Sequence, residues 1–231
     1  MGILDFVFPK YCVNCKKIGS YLCSNCFSYL SFDVANICAV CSRPAIDGMT
    51  HLGCKTKYTI DGTFVGLEYS TVMKKLIYQF KYRPYLSDLS KFLSELLYEA
   101  LIQKEEFARL LEKNDFVLAP IPLSSAKERG RGYNQSDLLA KMLSKKLGLP
   151  FANVLKRVKE TKIQAGLTKK ERRENLKDAF SLRLNKSNIK GANVFLVDDI
   201  LTTGATFDSA ANVLKRAGAS KVFGVALAKE K

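Results

Sequence analysis

Val194-Phe195-Leu196-Val197-Asp198-Asp199-Ile200-Leu201-Thr202-Thr203-Gly204-Ala205-Thr206 is the stretch that decides the fold. Asn193 to Val197 is a continuous apolar run without period-2 alternation, the pattern of a strand buried on both faces. Two carboxylates stand at its C-terminal end, and a small, hydroxyl-rich turn then opens a helix. The apolar positions of that helix are Phe207, Ala210, Ala211, Leu214 and Ala217, and Gly218 closes it. Lys221 to Ala228 (KVFGVALA) follows as another strand. Strand, helix, strand implies a right-handed parallel crossover, so the fold class is α/β with a parallel-rich sheet. In such sheets ligands bind beyond the carboxyl ends of the strands. The backbone N–H groups of Leu201, Thr202, Thr203, Gly204, Ala205 and Thr206, with the helix N-terminus, suit a phosphomonoester. The threonine hydroxyls add donors, and Gly204 permits close backbone approach. Asp198 and Asp199 repel phosphate but accept hydrogen bonds from ribose hydroxyls, and they can help hold Mg²⁺.

Upstream, strand and helix signals alternate in the same way. Thr63 to Tyr69 (TFVGLEY) reads as a strand. Leu86, Leu89, Phe92, Leu93, Leu96, Leu97 and Ala100 recur at helical spacing. Asp115 to Ile121 (DFVLAPI) is a short buried strand running into Pro122. Leu138, Leu139, Met142, Leu143 and Leu147 mark a helix stopped by Gly148 and Pro150. Lys156 to Arg173 carries eight basic residues against Glu160 and Glu171. It predicts a basic loop and then a helix capped at Thr168, with Glu171 completing a capping box.

All seven cysteines lie before residue 55. That segregation predicts a cysteine-rich module over 1–57 and an α/β domain over 58–231, with turn chemistry at Asp61-Gly62. The spacing is Cys12-x2-Cys15-x7-Cys23-x2-Cys26, then Cys38-x2-Cys41-x9-His51-x2-Cys54. A C-x2-C turn brings two thiolates onto one tetrahedral ion, and two such turns close a structural zinc site. His51, the single histidine, stands where a repeat of the paired pattern requires a fourth ligand. Two structural Zn²⁺ ions are expected, and both consecutive and interleaved pairing of the turns satisfy the spacing. Redox chemistry would not need four repeated pairs in so short a segment.

The chain has 231 residues, 37 Lys and Arg against 22 Asp and Glu, and a formal charge of +15. Seven thiolates and two zinc ions would leave about +12. A surplus of this size favours polyanions through phosphate contacts and counterion release. No apolar run is long enough to cross a bilayer, and MGILDFVFPKYC lacks the apolar stretch of a secretory leader. The expectation is a cytoplasmic protein without membrane insertion. Clustered cysteines in that compartment point to metal, not disulfides.

The thirteen residues from Val194 closely resemble the phosphoribosyl pyrophosphate (PRPP) signature of type I phosphoribosyltransferases. Further resemblance lies in the C-x2-C pairs, Pro120-Ile121-Pro122, Arg131-Gly132-Tyr133-Asn134-Gln135, Gln164-Ala165-Gly166-Leu167 and Arg172-Arg173-Glu174-Asn175. Over roughly residues 8–228 the chain resembles the ComF family, in which a double zinc ribbon precedes a type I phosphoribosyltransferase-like domain. His51 departs from it, because a cysteine is common at that position. The resemblance implies a role in natural transformation, handling incoming single-stranded DNA in the cytoplasm, with a DNA-uptake helicase or DNA-loading protein as partner. It implies PRPP with Mg²⁺ as ligand and supplies no established transfer reaction.

Under that resemblance the segment after Pro120 becomes the pyrophosphate-side loop, with Ser124, Ser125, Lys127, Arg129 and Arg131 as candidates. The same residues also suit a surface turn with snorkelling bases. Gln164 to Asn175 becomes a lid, or else a solvated basic helix. Aromatic and basic residues interleave from Tyr78 to Tyr85. Bases of single-stranded DNA stack on such rings while cations follow the backbone, which makes Tyr82, Arg83, Lys169, Lys170, Arg172 and Arg173 nucleic-acid candidates. Core packing is the competing use of the rings. Three functions remain open: a single-stranded DNA-binding competence protein, an active phosphoribosyltransferase of unknown acceptor, and a PRPP-sensing regulator. No side chain singles itself out as a general acid or base.

Overall fold

Alternate residues of a strand face opposite sides of a sheet, and here both sides are covered. The computed structural model describes residues 9–82, 87–159, 171, 176, 178–183 and 189–230. Its strands are β1 (Gly62–Glu68), β2 (Phe116–Pro120), β3 (Leu155–Arg157), β4 (Phe180–Leu182), β5 (Asn193–Leu201) and β6 (Lys221–Lys229). The helices are α1 (Ser24–Phe27), α2 (Thr71–Tyr82), α3 (Ser87–Ile102), α4 (Glu105–Lys113), α5 (Ser125–Arg131), α6 (Gln135–Leu147) and α7 (Ala205–Arg216). The main sheet is entirely parallel, in the order β1-β6-β5-β2. β3 and β4 form a separate antiparallel pair.

Phe195 and Val197 of β5 point to the side packed by α2, α3 and α6 through Leu76, Phe80, Leu93, Leu97, Leu139 and Leu143. Val194 and Leu196 point to the other side, against Phe207, Ala210, Ala211 and Leu214 of α7 and against Leu155 and Phe180 of the small sheet. This two-sided burial explains the unbroken apolar reading of the strand.

The cysteine-rich segment straddles the sheet. Cys12, Val13, Leu22, Cys26 and Leu30 join the core on the α2 side. Ile37 and Ala39 join the core on the α7 side. Between them the chain passes the β1 edge, where the Glu68 N–H donates to the Ser31 carbonyl at 2.9 Å. Among the described residues, no helix is long and apolar enough to cross a membrane.

Several elements differ from their sequence reading. β5 continues four residues past Val197, because β6 keeps pairing with it through Leu201↔Lys229. Tyr78 to Tyr82 is the last turn of α2, whose apolar face is Val72, Met73, Leu76, Ile77 and Phe80. Phe80 is fully buried, and Tyr78 and Tyr82 face solvent. Ser125 to Arg131 is helical, ended by Gly132 in the left-handed region. α6 starts three residues earlier than Leu138, because the Asn134 side chain accepts from the Ser136 N–H at 3.1 Å. The predicted Thr168 cap lies outside the described residues.

Candidate functional site

The C-terminal ends of parallel strands expose backbone and side chains that no neighbouring strand covers, and β5 ends in a cavity of about 220 Å³. Asp198, Asp199, Ile200, Thr202 and Thr206 come from β5 and the turn after it. Lys81 comes from α2, and Ile121, Pro122, Leu123, Lys127 and Arg131 from the β2–α5 segment. Gln135 and Ser136 open α6, and Arg157, Tyr69 and Glu230 complete the wall. Four cations thus meet two adjacent aspartates and two threonine hydroxyls.

The two aspartates have different partners. Lys81 Nζ lies 2.6 Å from Asp199 Oδ2. Burial works to lower the Lys81 ammonium, but the Asp199 carboxylate outweighs it and the net shift is upward. Asp198 Oδ1 accepts from Ser136 Oγ at 2.7 Å and from the Asp199 N–H at 2.9 Å. Burial and the neighbouring Asp199 charge still push the Asp198 carboxyl up to about 7. Lys127 is held below the usual lysine range by burial and then by Arg157, Arg131 and Lys81. The cavity therefore concentrates positive charge toward α5 and β3, and places the two adjacent aspartates toward β5.

Of the predicted phosphate-site residues, Asp198, Asp199, Thr202 and Thr206 line this cavity. Leu201 is buried at the end of β5, and its carbonyl accepts from the Glu230 N–H at 3.0 Å. Gly204 takes the N-cap of α7 at φ 81, with Thr203 before it and Ala205 as the first helical residue. On the pyrophosphate side, Lys127 and Arg131 reach the cavity, and Arg131 is steadied by Gln135 Oε1 at 2.8 Å. Ser124 is the N-cap residue of α5, Ser125 begins that helix, and Arg129 is exposed outside the cavity wall. Tyr82 is exposed, its ring 4.8 Å from that of Tyr78, with the Arg131 guanidinium 5.1 Å over it. Arg83, Lys169, Lys170, Arg172 and Arg173 lie outside the described residues.

Lys81, Ser136, Arg157, Tyr69 and Glu230 belong to no local motif that ties them to this cavity. Lys81 sits in the aromatic and basic stretch, and Ser136 directly follows the Asn134-Gln135 pair. Only the fold brings them to β5.

The second chemical feature is a pair of cysteine clusters. Cys12, Cys15, Cys23 and Cys26 form one, and Cys38, Cys41, His51 and Cys54 the other, with ligand atoms within 4.8 Å of one another. Tetrahedral zinc with Zn–S bonds of 2.3 Å needs sulfur atoms about 3.8 Å apart. Cys15 and Cys23 Sγ stand at 3.5 Å, and Cys41 Sγ lies 3.3 Å from His51 Nδ1. Consecutive turns are therefore grouped, not interleaved ones. His51 Nε2 lies 2.9 Å from the Pro44 carbonyl, which can only accept, so Nε2 carries the proton. That leaves the Nδ1 lone pair facing the thiols, the arrangement of a metal-ligating imidazole held by an outer partner. Burial would raise the Cys12 thiol, yet the N–H groups of Cys15, Cys23 and Asn14 bring it to about 6. Arg43, through its backbone and side chain, brings Cys41 to about 6 against its burial. The donor sets fit structural zinc, with no open coordination position.

Two family models match the two parts of the chain. The double zinc ribbon domain matches residues 3–55, and the phosphoribosyl transferase domain matches residues 135–231. Competence protein F of Haemophilus influenzae is 35% identical over 226 residues, 96% of this chain and 91% of that protein. Competence protein ComFC of Bacillus subtilis is 29% identical, covering 85% of this chain and 79% of its own. DNA utilization protein YhgH of Escherichia coli K12 is 30% identical, covering 93% of this chain and 94% of its own. Among solved structures, glutamine PRPP amidotransferase from B. subtilis superposes with a TM-score of 0.41 at 16% identity, over 64% of this chain and 30% of that enzyme.

Proposed function

This chain belongs to the ComF family of competence proteins, and on that premise we propose that it handles single-stranded DNA during natural transformation and binds Mg²⁺–PRPP in the cavity at the end of β5. The observation that carries the ligand is the juxtaposition of Asp198 and Asp199 with Lys81, Lys127, Arg131 and Arg157 around one cavity. A ligand for this wall needs hydroxyl donors for the carboxylates and anionic oxygens for the cations. A ribose bearing a 5′-phosphate and a 1′-pyrophosphate has both. In this reading the turn from Thr202 to Thr206 takes the 5′-phosphate, and Asp198 and Asp199 take the ribose hydroxyls. Lys127, Arg131 and Arg157 face the pyrophosphate. Magnesium bound with the pyrophosphate offsets charge there, and hydroxyl donors or a cation at Asp198 favour its ionised form.

The +15 charge and the exposed cluster of Tyr78, Tyr82 and Arg131 support the nucleic-acid part of the reading. The basic residues Lys169, Lys170, Arg172 and Arg173 would follow the phosphate backbone, and Tyr82 would stack a base. The metal clusters hold the N-terminal module of residues 1–57 and do no chemistry. A cytoplasmic location, with a DNA-uptake helicase or DNA-loading protein as partner, belongs to the same proposal.

A ligand-binding screen with Mg²⁺–PRPP, nucleotides and single-stranded DNA tests it on the purified protein. Binding of both PRPP and DNA is the expected result. Binding of neither rejects the proposal. Release of pyrophosphate from PRPP with a base or amine present would instead make the chain a phosphoribosyltransferase.

A further inference from the structure

The turn after β5 does not stand free, because it rests on the second metal knuckle. Gly204 is in the left-handed region at φ 81, and a Cβ there would fall 2.5 Å from Ala39 Cα and carbonyl oxygen. Glycine at 204 therefore answers the knuckle as well as the turn. Ala39 directly follows the ligand Cys38. Beside it, Ser42 Oγ donates to the Thr203 carbonyl at 3.0 Å. The position of Ser42 is fixed by the turn that gathers the ligands. Its φ is 61, its N–H donates to the Cys38 carbonyl at 2.7 Å, and the Cys38 N–H donates to the Arg43 carbonyl at 2.9 Å.

The contact has a directional consequence. In a planar trans peptide the carbonyl and the following N–H point opposite ways. A Thr203 carbonyl bonded to Ser42 turns the Gly204 N–H away from the knuckle. That N–H is one of the donors the phosphate reading assigns to this turn. Thr202 and Thr206, on either side of this peptide, line the cavity.

We infer that the knuckle from Cys38 to Arg43 is a positioning element of the phosphate site, in which Ser42 and Ala39 set the peptide planes of the turn that receives the anion. The inference rests on the reading of that turn as the phosphate-binding one. It makes metal at the second cluster and phosphate at the turn linked ligands, and such linkage is reciprocal. Metal in the second cluster fixes the turn, and phosphate on the turn tightens binding of that metal. The first cluster packs on the opposite side of the sheet and has no part in this linkage.

The test uses the zinc-loaded full chain and the variants Ser42→Ala, Ser42→Gly and Ser28→Ala. Glycine relieves the left-handed backbone at 42 while removing the hydroxyl, so it separates the hydrogen bond from the fold of the knuckle. Ser28 makes a comparable hydroxyl-to-carbonyl bond, to Asn25 at 2.8 Å, next to the first cluster. Amide hydrogen exchange of residues 201–206 is read without ligand, and Mg²⁺–PRPP affinity by calorimetry. Both Ser42 variants should exchange several-fold faster at 201–206 and bind PRPP roughly 2–10-fold more weakly, the loss of one neutral hydrogen bond, with zinc content unchanged. Ser28→Ala should change neither. Saturating PRPP should raise the chelator concentration needed to strip one zinc at equilibrium and not the other. Unchanged exchange at 201–206 in both Ser42 variants, with zinc intact, overturns the inference. If the wild-type protein gives no heat with PRPP, the phosphate reading fails, and the exchange measurement still decides whether the knuckle holds the turn.

Discussion

The metal clusters and the β5 cavity are both crowded with ionisable groups, but they resolve the crowding differently. In the second cluster the thiols face one point, His51 is steadied by Pro44, and Arg43 stands beside Cys41, which raises the guanidinium further. Its polar groups are matched within the module once an ion is present. In the cavity Asp198 is set against Asp199, and Lys127 against Arg157, Arg131 and Lys81. Beside the Lys81–Asp199 pair, the charges of Lys81, Arg131 and Arg157 all act against a proton on Lys127. A closed metal site spends its electrostatics on folding, whereas an open cavity retains repulsion that a ligand of mixed character relieves. Damage to the first region should therefore unfold, and damage to the second should stabilise the ligand-free protein while abolishing binding.

The largest effect is expected at the first cluster. Cys12 is fully buried within the core on the α2 side, and metal binding in small modules is largely their folding free energy. Cys12→Ser should lose one zinc by elemental analysis and aggregate on purification. A soluble variant with unchanged zinc would break the contrast. His51→Ala should also lose one zinc but keep the first cluster intact.

The next effect has the opposite sign. The folded-state value of Asp198 is about 7, above the ordinary carboxylate range, so between about pH 4 and pH 7 the folded state holds a proton that the unfolded state has released. The contribution of this group to stability therefore falls as pH rises through that window, and is level above it. Asp198→Asn should be more stable than wild type at pH 8, by on the order of 2–3 kcal/mol, and close to it at pH 4. Denaturant unfolding of ligand-free protein at the two pH values measures this. A variant less stable than wild type at pH 8 would mean that Lys81 already compensates the pair.

The smallest effect concerns DNA. Replacing Tyr82 with Ala should weaken single-stranded DNA by ~1–3 kcal/mol without altering the salt slope, since stacking releases few counterions. Replacing Lys169, Lys170, Arg172 and Arg173 together should flatten the slope by about 0.7 per lost phosphate contact. Anisotropy titrations across salt read both. A slope untouched by the quadruple substitution would move the DNA to another face.

The same two regions differ in how far they could be read from the chain. The metal ligands are local, and each C-x2-C turn carries its own geometry, so the eight positions and even the odd histidine were visible in the spacing. The sheet was visible because strands buried on both faces leave unbroken apolar runs, as in Val194 to Val197. Asp198, Asp199 and the turn to Thr206 were visible because one strand–turn–helix unit holds them. Lys81, Ser136 and Arg157 were not, because no short-range pattern ties α2, α6 and β3 to the end of β5. Their meeting is set by packing across the α2 side of the sheet and by the small β3–β4 pair. The contact of Ser42 with Thr203 spans 161 residues and leaves no trace in either local motif. The helix from Thr71 was missed for a different reason. Its exposed Tyr78 and Tyr82 and its buried Phe80 are all aromatic, which blurs the amphipathic period.

Whether Asp198 and Asp199 form the ribose side of a PRPP site is decided by calorimetric titration of Mg²⁺–PRPP into wild type and Asp198→Asn/Asp199→Asn. Hydrogen bonds to charged groups contribute ~1.5–3 kcal/mol each. Saturable one-site binding is expected in the wild type, with a loss of roughly 100-fold or more in the double variant and both zinc ions retained. Wild-type affinity in the double variant, or no binding by the wild type, would contradict that assignment.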